Sequence, residues 1–432
     1  MIPYLKQCAV LALLTLTAQP SLAQEGPPDE VPARFVPVAL DADGRRVVAA
    51  SNAFTLDLLK KVGSPTENIV LSPASVSMAV GFAYRGAAGK TAAELRTTLH
   101  YPFDPVQNLA ASKGVLDSLE LDTPQRELHA ANAIWTQHGM PFDAEFERDM
   151  ARYATAGLRR FDLKGDEERG RQTINEWVGG TTRGKIPELI AKGIITPRTR
   201  AVLVNALYFK AAWASAFEPE STKDEPFTSL DGRRAKVRLM TRRGYYTVDH
   251  RDGVKAILLP FVGGEISLAV FLPDRPGRLS GFAAKLTASD LERRLTALDR
   301  AERRETILSL PRFSLKWSGN LEDPLMAMGA PTAFSDTADF SGMAKLPSPG
   351  GDRSEIGLKI SHVIHAATFD VDEVGSEASA ATAVVMDVVV SGRLVRRPPP
   401  PPFIFRADKP FLFALRDNRT GLLLFVGRYV KP

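Results

Sequence analysis

Between Phe369 and Val390 the chain runs FDVDEVGSEASAATAVVMDVVV, and this stretch sets the strictest condition on any fold the chain can adopt. Thr368-Phe369-Asp370-Val371 has the composition of a strand, closed by Asp372-Glu373 ahead of a single Gly375. Ordinary surface loops carry Gly, Pro, Asn and Asp. Here there are tiny and β-branched residues instead, with no proline from Gly375 to Val395, so the segment could itself become a strand. In an extended chain Ser376, Ala378, Ala380, Thr382, Val384, Met386 and Val388 share one face, and none is charged; Glu377 and Asp387 fall on the other. On composition alone an Ala/Val-rich edge strand or a helix is the plainer alternative, since alanine favours helix intrinsically.

At 432 residues, 44% hydrophobic and 24% charged, the chain has ample material for a core. The net charge of +5 comes from scattered basic residues, which gives no support to nucleic-acid binding. Residues 1–23 read as a signal peptide: Lys6, an apolar core starting at Cys8, and Ser21-Leu22-Ala23 as a small-x-small cleavage site. That apolar run is too short to span a bilayer comfortably, and no membrane association is expected. Cys8 is the only cysteine, so the exported chain would hold together without disulfides. A Pro- and acid-rich leader is expected over 24–44, then one domain over 45–432.

Helical spacing runs from Val47 to Val62, a short strand over Asn68–Leu71 ends at Ser72-Pro73, and helices follow over Ala74–Gly81 and Thr91–Leu99. Ala201-Val202-Leu203-Val204-Asn205-Ala206-Leu207-Tyr208-Phe209 is too apolar for an edge strand and reads as a buried one, with Trp213 beyond it. Strand-like runs continue over Ala256–Pro260, Ile266–Pro273 and Thr306–Phe313, interrupted by a helix over Thr287–Leu298. The chain ends in a hairpin across Arg416 to Gly421 whose arms are apolar on both faces. Gly89-Lys90-Thr91 and Gly179–Lys185 each miss a residue that a phosphate-binding loop requires, so nucleotide binding is rejected.

The hinge pattern of Glu373, Gly375, Ser376, Glu377, Ala378 and Thr382 resembles that of the serpins, protease inhibitors whose reactive-centre loop enters their own central sheet. The block NIVLSPASVSMAVGFAYRGAAGKTAAEL, the strand ending at Trp213, and the Lys409-Pro410-Phe411 motif also resemble serpin segments, so the likeness runs from about Arg45 to Pro432. It implies an α+β serpin fold with mixed and antiparallel sheets, about eight to nine helices and an exposed reactive-centre loop at about 373–404. In that likeness Ile174–Val178 and Gly184-Lys185-Ile186 would be a helix, a turn and a further short helix. A turn and short helix would span Phe334 to Met343. His365 would meet Asn205, Ser72 and Ser75 under the central sheet, and Arg312 would pair with Glu373 at its top, near Trp213.

No Gly-x-Ser-x-Gly elbow, Ser-x-x-Lys or His-Glu-x-x-His motif occurs, so no catalytic group, metal or cofactor is expected and the chain is not read as an enzyme. His362 and His365 fall on opposite faces of a strand, and His365 is equally consistent with a core histidine satisfied by hydrogen bonds. What the resemblance implies instead is inhibition. A serine protease attacks the loop and forms a covalent acyl-enzyme, and the cut loop inserts before water can release it. The expected partner is that protease, and a monomer is expected. The alternative is a serpin-fold binding or carrier protein whose loop is only cut.

Family spacing from Gly375 puts the scissile bond at Val389–Val390, which suits an elastase-like primary pocket; Met386 lies nearby. The segment from the hinge to Lys409 is longer than is usual in the family, and includes Gly392 and five prolines. Arg393, Arg396 or Arg397 could serve a trypsin-like protease, but cutting there would add up to roughly 25 Å of tether and weaken any distortion of the enzyme.

Overall fold

The computed structural model describes residues 39–119, 126–154, 157–162, 165–344, 358–376 and 400–432. Its helices are α1 (Ala42–Lys61), α2 (Pro73–Gly86), α3 (Gly89–Thr98), α4 (Pro105–Ser118), α5 (Ala144–Tyr153), α6 (Glu167–Thr181), α7 (Arg278–Lys285), α8 (Ala288–Arg300) and α9 (Glu322–Met328). The strands are β1 (Ile69–Leu71), β2 (Arg126–Gln137), β3 (Leu158–Phe161), β4 (Ala201–Ala212), β5 (Thr222–Thr228), β6 (Arg234–Arg251), β7 (Val254–Pro260) and β8 (Ile266–Pro273). They continue as β9 (Arg303–Pro311), β10 (Phe313–Asn320), β11 (His362–Val371), β12 (Gly375–Ser376), β13 (Phe403–Arg406), β14 (Phe411–Asp417) and β15 (Leu423–Tyr429).

Two mixed sheets form, in keeping with the expected α+β class. One runs β1-β15-β14-β8-β7-β6-β9-β13 with β5 on β6, and the other runs β10-β11-β4-β2-β3 with β12 on β4. The apolar arms of the C-terminal hairpin explain why β14 and β15 sit inside the first sheet: every residue of β15 is buried. In the second sheet β4 is central and almost wholly buried. It pairs antiparallel with β2 on one side and parallel with β11 on the other, from His362↔Val202 to Thr368↔Tyr208. Its two faces bury different material. Ala211, Phe209 and Leu207 join an aromatic core with Phe369 and Phe413, whereas Ala206, Val204 and Val202 pack with Ile174 and Val178 of α6. α2, rich in small residues, lies beneath this sheet and is buried along most of its length.

Four expectations need correction. The leader does not reach residue 44, because Asp41 caps α1 by accepting the Gly44 amide at 2.7 Å and the helix starts at Ala42. No short helix follows Gly184. The chain turns there, with Arg183 and Gly184 both at positive φ, and the Asn175 carboxamide oxygen takes the Leu189 and Ile190 amides. Between Phe334 and Met343 there are only turns, preceded by a 3₁₀ turn over Thr332–Phe334. Thr287 is the cap of α8 rather than its first residue, closing a capping box with Asp290.

Candidate functional site

The strand-like run before the hinge is β11, and it ends at Val371 because Asp372 turns the chain. The Asp372 carboxylate accepts the amides of Val374 at 2.9 Å and Gly375 at 3.0 Å, and its own amide donates to the Gly375 carbonyl. The turn is then sewn to the end of β4. Trp213 donates its backbone amide to Val374 O at 2.8 Å and its indole Nε1 to Asp372 O at 2.9 Å. Phe217 donates to Glu373 O at 2.8 Å. Trp213 itself is fixed by a stacked Phe261, 4.4 Å between ring centres.

Here the segment departs from an entirely exposed loop. Gly375 and Ser376 form β12, antiparallel to β4 with Gly375↔Ala212 and Ser376↔Ala211. β2 occupies the opposite edge of β4 up to Ala211, so β12 lies on the edge that β11 uses further down. A side chain at 375 is impossible in this seat: a Cβ would lie 2.1 Å from Ala211 O and 2.7 Å from Ala212 Cα, both backbone atoms. Ser376 is fully buried and donates its hydroxyl to Phe209 O at 3.3 Å. At the other end, β13 begins at Phe403, so Phe403 and Ile404 are already strand within the loop expected at about 373–404.

Arg312 and Glu373 lie together at the top of the sheet, with Nη1 3.7 Å from Oε2. The arginine side chain is 57% exposed and the carboxylate 11%, so the pair contributes under about 1 kcal/mol. Its importance is positional, since it bridges the break between β9 and β10 to the turn that starts β12.

Further down, His365 is completely buried between β10 and β4. Its Nδ1–H donates to Asn205 Oδ1, and its Nε2 accepts the Ser72 backbone amide at 3.0 Å, which leaves the ring neutral. Burial pushes its pKa down to about 3, with Asn205 partly offsetting the fall. Asn205 Nδ2 donates to both Ser75 Oγ and Asn132 Oδ1, and Ser75 Oγ donates to Asn132 Oδ1 at 2.9 Å. The cluster thus joins β11, β4, β2 and α2. Ser72 takes part through its amide and not its hydroxyl, which finds no hydrogen-bond partner among the described residues. Asn132 was missed in the sequence. The available signal was a lone carboxamide inside the apolar run Ala131-Asn132-Ala133-Ile134.

Of the residues singled out in the sequence, the structure therefore gathers Trp213, Arg312, Glu373, Gly375 and Ser376 at one end of the sheet, and Ser72, Ser75, Asn205 and His365 along its seam. Glu377, Ala378, Thr382, Met386, Val389, Val390, Arg393, Arg396 and Arg397 lie outside the described residues, as does the segment 1–23. Among the described residues no acidic, histidine or cysteine group is arranged to hold a metal, and no helix is long and apolar enough to cross a membrane.

Comparison with known proteins places this geometry. A family model described as serpin (serine protease inhibitor) matches residues 49–432. The human leukocyte elastase inhibitor is 34% identical over 397 residues, covering 89% of this chain and 99% of its own. An uncharacterized serpin-like protein of Thermococcus kodakarensis is 32% identical, over 91% of this chain and 88% of its own. The crystal structure of the thermophilic serpin tengpin in its native state superposes with a TM-score of 0.78 at 26% identity, covering 92% of this chain and 96% of its own. The buried seam, the seated glycine and these full-length likenesses together make the chain a member of the serpin family of serine protease inhibitors.

Proposed function

We propose that this chain is a suicide-substrate inhibitor of serine proteases. Its loop, once cut and acylated to the protease, enters the six-stranded sheet between β4 and β11 and carries the enzyme with it. The observation that carries this reading is the seat of β12: two residues of the incoming strand are already paired on the edge of β4 where insertion would proceed. Extending the Gly375↔Ala212 register sets Ala378 opposite Phe209, Ala380 opposite Leu207 and Thr382 opposite Asn205. The neutral face would then meet the aromatic core. The two charges would meet cations, Glu377 opposite Lys210 and Asp387 opposite Arg200.

Insertion must part β11 from β4 and break the His365–Asn205 bond, so the polar cluster is the gate along the seam. In the extended register Thr382 takes the place across from Asn205 that His365 now holds, and can offer its hydroxyl there. The free energy comes from ladder hydrogen bonds and from burial of Val384 and Met386, each about 1.5–3 kcal/mol. The reactive bond is assigned to Val389–Val390 and the target class to elastase-like serine proteases. The name of the human relative, leukocyte elastase inhibitor, agrees with that class. Export through residues 1–23 and action as a monomer belong to the same proposal.

The test is incubation with pancreatic elastase and electrophoresis under denaturing conditions. A complex that survives denaturation supports the reading. Stoichiometric cleavage with no complex would leave a serpin-fold protein whose loop is only a substrate.

A further inference from the structure

Beside the hinge turn lies a cleft of 640 Å³, with Lys236, Arg238 and Arg312 on one wall and Ser314, Asp370 and Asp372 on the other. Its basic wall is built mainly on β6. Arg234, Lys236 and Arg238 alternate along β6 with the residues between them, so their exposed side chains share one face. The register Leu239↔Pro311 and the Arg312 amide's bond to Arg238 O place Arg312 directly across from Arg238. Like charges set opposite each other across strands are destabilising. Among the described residues no carboxylate forms an ion pair with Arg234, Lys236 or Arg238, although Asp224 of β5 stands across from Arg238 on its other side. The carboxylates of the far wall are already engaged: Asp370 accepts Ser314 Oγ and lies 3.9 Å from Lys185, and Asp372 holds two backbone amides. Among the described residues the ion pair of the basic wall is Glu373 on Arg312, at 3.7 Å.

We propose that this wall binds a polyvalent phosphate, with one oxyanion group between Arg238 and Arg312 and an adjoining group reaching Lys236, about 7 Å along the strand. Two linked groups fit the spacing better than one, and buried Phe313 and Tyr429 offer no exposed ring for stacking a nucleobase. The bound anion competes with Glu373 for Arg312 and so releases one tie on the hinge turn. The binding stands on the cleft alone; its effect on the hinge rests on the inhibitory reading above.

Isothermal titration of the full chain with pyrophosphate, at ionic strength held constant with sodium chloride, tests it. One saturable site is expected. Lys236→Ala and Arg238→Ala should each weaken it about tenfold, the loss of one charge-assisted contact. Glu373→Gln should tighten it, because the competing carboxylate is gone. No saturable heat, or unchanged affinity in both alanine variants, overturns the site. Sulfate binding as tightly as pyrophosphate overturns the two-group assignment, and unchanged affinity in Glu373→Gln overturns the coupling to the hinge. Because the readout is binding, its failure is separable from a failure to trap protease.

Discussion

Lowering the pH from 7 to 5 is expected to weaken the fold through His365 far more than through an ordinary histidine. Unfolded, the imidazole titrates near 6.5; folded, burial holds it neutral until about 3. Above 6.5 both states are neutral and the contribution of the neutral ring is fully present. As the pH falls below 6.5 the unfolded chain takes up a proton that the folded chain refuses, so stability drains away until about pH 3. The slope is about 1.4 kcal/mol per pH unit once the unfolded histidine is protonated, so the step from pH 7 to 5 costs about 2 kcal/mol. Geometry gives the same sign. Protonating Nε2 would turn the acceptor of the Ser72 amide into a second donor facing it, with no carboxylate in the cluster to receive either proton. The assay is urea unfolding of wild type and His365→Gln at pH 7, 6 and 5. His362 is also held down by burial and contributes in the same direction, but equally in both proteins. The reasoning predicts that the wild type loses about 2 kcal/mol more than the variant over this range. Parallel pH profiles for the two proteins would refute it.

Gly375→Ala forces a Cβ against the backbone of β4, so β12 should leave its seat. Loss of its two ladder pairs and the adjoining ties should cost about 1–3 kcal/mol, read as a lowered unfolding midpoint with the core spectroscopically intact. A variant as stable as wild type would contradict the seating. Ala378→Arg and Thr382→Arg would set a guanidinium against Phe209 and Asn205 in the extended register, burying an unpaired charge. Each is expected to convert trapping into plain turnover of the loop. Unchanged stoichiometry of inhibition in either would refute insertion in this register.

Much of the architecture was legible because it rests on local chemistry. The run Ala201–Phe209 of β4, apolar but for Asn205, read as a buried strand, and the arms of the C-terminal hairpin read as apolar on both faces. The Arg312–Glu373 pair was legible from resemblance, and the structure sets the two residues 3.7 Å apart. What escaped depends on neighbours distant in sequence. Asn132 belongs to the seam because β2 happens to lie in register with β4 at Asn205, a fact no local pattern encodes. Ser72 serves through its amide, which is free only because Pro73 opens a helix there. The stretch after Gly184 carries enough apolar residues for a helix turn, yet Asn175 supplies the amide partners that such a turn would have provided. The early start of α1 follows from Asp41, a capping residue inside an acidic, proline-containing leader where such a residue is easily taken for more loop.

The central claim is that the intact chain holds back a strand its sheet would accept, and cleavage tests it most directly. The loop is cut between Met386 and Arg393 with a catalytic amount of a protease that is not trapped, and thermal unfolding is followed for intact and cleaved protein side by side. Ordering the new strand costs about 1–2 kcal/mol per residue, and its ladder bonds and buried side chains return a comparable sum, so the sign follows from the proposed insertion mechanism rather than from that sum. The account therefore predicts a melting temperature that rises on cleavage, the reverse of ordinary nicking. A melting temperature that stays the same or falls would contradict it.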